Sequence, residues 1–143
     1  MNDGIRKLYS INEISIAALI GGPLAGFYLI SRNFKALDKK SLSTISFVIG
    51  IIATIFLAVV IVFIPQDIMD KIPDVIIPAL FTPVIYAYVK KAQGQEIKDH
   101  FKNGWAKHSQ RRTAVTGVLA LAITLASFFA IGKIAGSINV SAP

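Results

Sequence analysis

An all-α, four-helix transmembrane bundle is the fold class this sequence predicts, and three observations predict it. Residues 42–64 and 113–135 are apolar runs with no charge before Lys133. At about 1.5 Å of rise per residue, each reaches roughly 34 Å as a helix, enough for a hydrocarbon core of about 30 Å. Mean hydropathy is +0.62. Only 16% of the 143 residues are charged, against about a quarter in soluble domains. Lys and Arg gather in the connections beside apolar segments, where they act as topology signals. The length suits one integral membrane domain over residues 1–143.

The first span is expected over about 11–31. Ser10-Ile11-Asn12-Glu13 matches a capping box, which starts the helix at Ile11. Arg6, Lys7 and the following apolar run have the outline of a signal peptide, but Asn12 and Glu13 interrupt the approach, and the run reads as a retained helix. Gly21-Gly22-Pro23-Leu24-Ala25-Gly26 interrupts this span. The second span covers 42–64, with Ser41 as N-cap and Pro65 as terminator. Ser46, Gly50, Thr54 and Ala58 recur every four residues and mark its packing face.

The third span covers 72–89, with Pro73 in its first turn and Pro78, Thr82 and Pro83 inside. Each internal proline deletes an amide donor, so the freed carbonyl needs a new partner in lipid. The fourth span covers 113–135, with Ala122, Ala126 and Ala130 as its small-residue stripe and Gly132-x-x-x-Gly136 at its end.

Basic residues orient the bundle. The 32–40 and 90–112 connections hold 11 of the 15 Lys and Arg residues, which places both in the cytoplasm and both termini outside. The expected location is the cytoplasmic membrane. Within the cytoplasmic 92–112 loop, Ile97, Phe101 and Trp105 share one helical face flanked by Lys98, Lys102 and Lys107. A short amphipathic helix there suits the lipid surface, or docks on the bundle.

Two readings attach to Gly22, Pro23, Gly26 and Tyr28 in the first segment and Pro78, Thr82 and Pro83 in the third. Paired interrupted helices point to a transport pathway. Small residues and kinks equally suit tight helix packing, as in Gly22-x-x-x-Gly26. Glu13 reads as a cap and Lys133 as a snorkelling cation, with a Glu13–Lys133 pair as the sharper alternative.

Catalysis has little to build on. There is no cysteine, no acid near mid-span, no base beside the span hydroxyls and no ligand pair at zinc spacing around His100 and His108. No enzyme activity, cofactor or metal is expected. The cations lie in loops beside spans, so nucleic acid is not an expected partner. Expected partners are membrane lipids and a second copy or another membrane protein. The role predicted is a non-enzymatic accessory or scaffold, with a small oligomeric transporter or pore as the alternative.

Leu8-Tyr9-Ser10, the Gly21–Gly26 segment and Tyr28-Leu29-Ile30-Ser31-Arg32-Asn33-Phe34-Lys35-Ala36-Leu37 resemble a group of uncharacterised small bacterial multi-pass membrane proteins. These share a Gly-Gly-Pro-Leu-Ala first helix leading into an Arg-Asn-Phe-x-Ala-Leu turn. A proline-bearing later helix and Asn103-Gly104-Trp105 before the last span add to the likeness. The resemblance implies a bacterial multi-pass membrane protein and carries no activity, ligand or site residue.

Overall fold

The computed structural model describes residues 6–73 and 75–140, with side chains as far as 137. Five helices follow one another: α1 (Ile11–Ala36), α2 (Lys40–Phe63), α3 (Gln66–Met69), α4 (Ile76–Lys102) and α5 (Gln110–Val140). Among the described residues there is no strand, only an isolated parallel bridge between Leu8 and Lys107. By length and composition, three helices are apolar and long enough to cross a membrane: Ile11–Ala36, Lys40–Phe63 and Gln110–Ser137. The chain is thus a helical protein with membrane-spanning capacity. The third expected span is not among those three, because α4 continues into the polar stretch ending at Lys102.

Local signals set most of the helix ends. Ser10 caps α1 as expected, accepting from the Glu13 amide at 3.3 Å while Glu13 accepts from the Ser10 amide at 2.8 Å. Pro65 follows directly on the end of α2, as expected. The N-cap of α2 is Lys39 rather than Ser41, and it makes no side-chain cap bond. Pro73 precedes α4, its carbonyl receiving the Ile76 amide at 2.9 Å, so Pro78 is the proline in that helix's first turn. The stretch expected to form a loop from residue 92 is helical to Lys102, and the connection into α5 shrinks to residues 103–109.

The principal departure lies in α1. Gly22 has φ 75° and ψ −169°, a conformation essentially confined to glycine. Pro23 then starts a new helix with its preset φ and no amide to lose. The two legs, residues 11–21 and 23–36, fold back on each other. The Tyr9 amide donates to Asn33 Oδ1 at 2.8 Å, and Asn33 Nδ2 donates to the Tyr9 carbonyl at 2.9 Å. In a straight helix, 24 residues would separate these groups by about 36 Å. A Cβ at Gly26 would lie 3.0 Å from that of Ala18, so the legs touch along their length.

The hairpin forms the centre. α5 packs on its first leg, with Gly117 against Ala17 and Ile20, while α2 packs on the second, with Gly50 against Leu24 and Phe27. α4 lies against the hairpin at Gly26 and Ile30 and, among the described residues, packs on no other helix. The α2 stripe falls as expected, with Ser46, Gly50, Thr54 and Ala58 buried. The α5 stripe does not. Thr113, Gly117, Ala120 and Thr124 face inward, whereas Ala122, Ala126 and Ala130 are exposed. A Cβ at Gly132 or Gly136 would have nothing within 4 Å, and Gly22 sits at the bend, so of the two Gly-x-x-x-Gly pairs Gly26 alone packs closely between helices.

The fold-back also changes the disposition of the ends. Residues 6–9 lie beside the 32–40 and 103–109 connections, with Arg6 bound to Asp38 at 2.7 Å and Leu8 bridged to Lys107. The expectation that the N-terminal residues sit opposite those connections is therefore corrected. Among the described residues, Lys71 and Lys133 are the cations left at the far end.

Candidate functional site

The hairpin and its surroundings form the candidate site, with a polar lock at its base and a close-packed tip at its bend. The lock begins with Asn33 and Gln93, both fully buried. Asn33 Nδ2 also donates to Gln93 Oε1 at 3.3 Å, and Gln93 Nε2 donates to the Ile30 carbonyl at 2.9 Å. The N-terminal arm, the second leg and α4 are thereby tied at one level. Buried amide side chains demand partners, and here each finds them.

Glu13 lies beside the lock, buried at the base of the first leg. Its carboxylate serves the capping box and reaches Lys107 Nζ at 3.5 Å. The expected alternative partner, Lys133, sits at the other end of α5. Tyr9 stacks on His108 at 4.1 Å between centroids. Burial raises the Tyr9 pKa against the lowering pull of Arg112 and Arg32. Burial lowers that of His108, and the positive charges of Arg112, Lys7 and Arg32 lower it further. Lys39 and Glu96 pair across the α1–α2 turn and α4.

The tip lies about 16 Å from the base, the rise of the 11-residue first leg and roughly half the hydrocarbon thickness. Thr124 Oγ1 donates to the Gly21 carbonyl at 3.4 Å, tying the tip to α5. A Cβ at Gly21 would overlap the Gly117 carbonyl oxygen and approach the Ala25 Cβ to 2.8 Å. No side chain fits there. Beside the tip, an apolar groove of about 480 Å³ runs between α2 and α5, with Leu24 and Tyr28 at its floor.

The expected site residues divide by location. Gly22 forms the bend, Pro23 is buried behind it, and Gly26 lies between Ala18 and Ile85. Tyr28 meets Phe47 edge-on at 6.2 Å. Pro83 is exposed on α4, and Pro78 and Thr82 are half-buried. Thr82 Oγ1 is itself buried with no hydrogen-bond partner. Of the residues expected at the lipid surface, Ile97 is 3% exposed and Phe101 packs partly against the core. Docking on the bundle thus describes these two better than lipid contact. Lys98, Lys102 and Trp105 remain outward-facing, with Trp105 beyond the helix end.

Gln93 and Asn33, the latter present only within the turn motif that carries the resemblance, are not among the site residues expected from sequence. A polar amide within an apolar approach to a basic turn was the available signal, but its partner stands 60 residues away. Comparison with protein-family models, curated proteins and solved structures finds no match for this chain.

Proposed function

We propose that this chain is a non-enzymatic protein of the bacterial cytoplasmic membrane that works by packing with a second copy or another membrane protein. In this reading α2, α4 and α5 cross the bilayer, while α1 enters and leaves from the cytoplasmic side. The N-terminal arm is then inside and the end of α5 outside, which gathers nearly all cations in the cytoplasm.

The observation that carries the reading is the isolation of α4, which among the described residues packs on α1 alone. Leu80 and Val84 on its outer half are 70% and 66% exposed. Pro83 denies the Ala79 carbonyl its usual amide donor. Within lipid such a carbonyl needs a neighbouring helix, a hydroxyl or water. A partner helix on this face supplies close packing and a polar group together.

Native mass spectrometry of the protein extracted in mild detergent tests this. A homo-oligomer or a stoichiometric membrane partner is expected, and Leu80→Trp with Val84→Trp should abolish it. A monomer extracted without any partner would refute the proposal. The transporter alternative draws on the half-depth hairpin and the unpartnered Thr82 hydroxyl. It requires solute flux in proteoliposomes that Thr82→Val removes.

A further inference from the structure

At the basic end of the bundle, Lys7, Arg32, Lys35, Ala36 and His108 enclose a pocket of about 290 Å³. The cations come from the N-terminal arm and the second hairpin leg, and the connection before α5 adds the imidazole of His108. Arg112, in the first turn of α5, adds its field to theirs at His108. The ion pairs among the described residues are Arg6–Asp38, Lys39–Glu96 and Lys107–Glu13, so none of these converging cations has a carboxylate partner. Convergence of like charges from three elements is unfavourable unless an anion compensates it.

The pocket and the apolar groove between α2 and α5 share no lining residue, but two helices carry residues from one towards the other. Arg32 stands one helical turn below Tyr28 on the second leg, and Arg112 one turn below Thr116 on α5. Tyr28 and Thr116 both line the groove. Residues four apart share a helix face, so the cations stand at the basic end of the same slot. From Thr116 to Ser127, two groove-lining residues on α5, the rise is about 16 Å. That is roughly half a hydrocarbon core of about 30 Å, the depth of one leaflet. The walls are mostly apolar side chains, with Tyr28, Thr54, Thr116 and Ser127 as the hydroxyl-bearing ones.

We infer that Lys7, Arg32, Lys35, His108 and Arg112 bind the phosphate of one anionic phospholipid, whose acyl chain lies in the groove between α2 and α5. Arginine holds phosphate through paired, charge-assisted donors, and basic pockets beside spans are the usual headgroup sites. The bound lipid joins the N-terminal arm, the second leg and α5, sealing the base of the hairpin from outside the Asn33 lock. The inference rests on the membrane reading above.

The test uses the full chain in neutral detergent, with phosphatidylglycerol, phosphatidylcholine and inorganic phosphate as probes. Retention in native mass spectra and the shift in unfolding temperature are the readouts. Phosphatidylglycerol should remain bound at one per chain and raise the unfolding temperature, with phosphatidylcholine at least tenfold weaker. Arg32→Gln with Arg112→Gln, both at exposed positions, should weaken phosphatidylglycerol at least tenfold. Ile123→Trp, which fills the groove from an exposed position, should weaken it without creating phosphate binding. Equal affinity for the two lipids, or unchanged affinity in the Arg double variant, would overturn the inference. Stabilisation by inorganic phosphate equal to that by phosphatidylglycerol and indifferent to Ile123→Trp would assign the pocket to free phosphate, also overturning the lipid site. A chain that stays monomeric and dissolved without detergent would instead refute the membrane reading itself.

Discussion

Replacing Asn33 by Leu isolates what the polar lock contributes to the fold-back. Leucine fills a similar volume but offers neither donor nor acceptor. The Tyr9 amide loses its 2.8 Å acceptor and Gln93 Oε1 loses its donor, while the Gln93–Ile30 bond is left in place. An unpaired buried polar group costs about 1–3 kcal/mol, so two orphaned groups give about 2–6 kcal/mol. The Tyr9 carbonyl, also deprived of Asn33 Nδ2, adds less, because a carbonyl tolerates partial satisfaction better than an amide. Reversible unfolding in mixed detergent micelles, followed by helicity, measures the loss. Adding Gln93→Leu removes one orphan while exposing another at Ile30. The double variant should therefore fall short of the summed single effects by about 1 kcal/mol or more. A cost for Asn33→Leu below about 0.5 kcal/mol, the range of ordinary surface changes, would refute the lock.

Four further outcomes follow from the same geometry. Gly22→Ala forces a side chain into a backbone region confined to glycine and should cost about 1–3 kcal/mol. Gly132→Ala, whose Cβ meets open space, should stay within about 0.5 kcal/mol in the same unfolding assay. Ala18→Cys with Gly26→Cys should form an intramolecular disulfide under mild oxidation, read from gel mobility in a chain with no cysteine of its own. The pair lies about 12 Å apart in an unbroken helix and in contact in the hairpin, so absence of the crosslink would exclude the fold-back. His108 has its pKa lowered from 6.5 by burial and by Arg112, Lys7 and Arg32. Below 6.5 the unfolded chain therefore holds a proton that the folded one resists. Its contribution to stability is intact above that value and declines as pH falls through it. The lipid-free unfolding midpoint should drop between about pH 7.5 and pH 5.5, and His108→Phe should flatten that drop.

What could be read from the chain alone was local or periodic. The Ser10–Glu13 box depends on four adjacent residues and appears as expected. The buried face of α2 is announced by small and hydroxyl residues at four-residue intervals among large aliphatics. The same reasoning failed on α5, where alanines stand on several faces and only contact with the hairpin selects Gly117 and Ala120. Gly22-Pro23 was legible as an interruption but not as a reversal. Yet a glycine past one helix end and a proline just inside the next favour a stop and a restart over a kink. Gln93 was hidden by its neighbours, since Lys90, Lys91 and the polar residues after it suggested a solvated loop. Ion-pair partners were equally remote in sequence. Glu13 meets Lys107 because the hairpin returns the chain to its starting end.

The tip bears on which functional reading the hairpin supports. A half-helix N-terminus at mid-membrane is favourable for an anion when its positive end stands alone. Here the C-terminal end of the first leg and the N-terminal end of the second lie side by side, so partial charges of about −0.5 and +0.5 largely cancel. Pro23 brings no amide donor to the tip. Thr124 is already committed to the Gly21 carbonyl, and Gly117 closes the space a solute would need. The tip is therefore arranged to hide backbone from lipid rather than to present charge. Unpaired charge collects instead at the opposite end of the hairpin, around Lys7, Arg32 and Lys35. A ligand that responds to electrostatics has far more to gain there than at half depth. Neutralising the basic pocket and substituting the tip should thus separate cleanly: the first alters lipid selectivity, and the second alters folding alone.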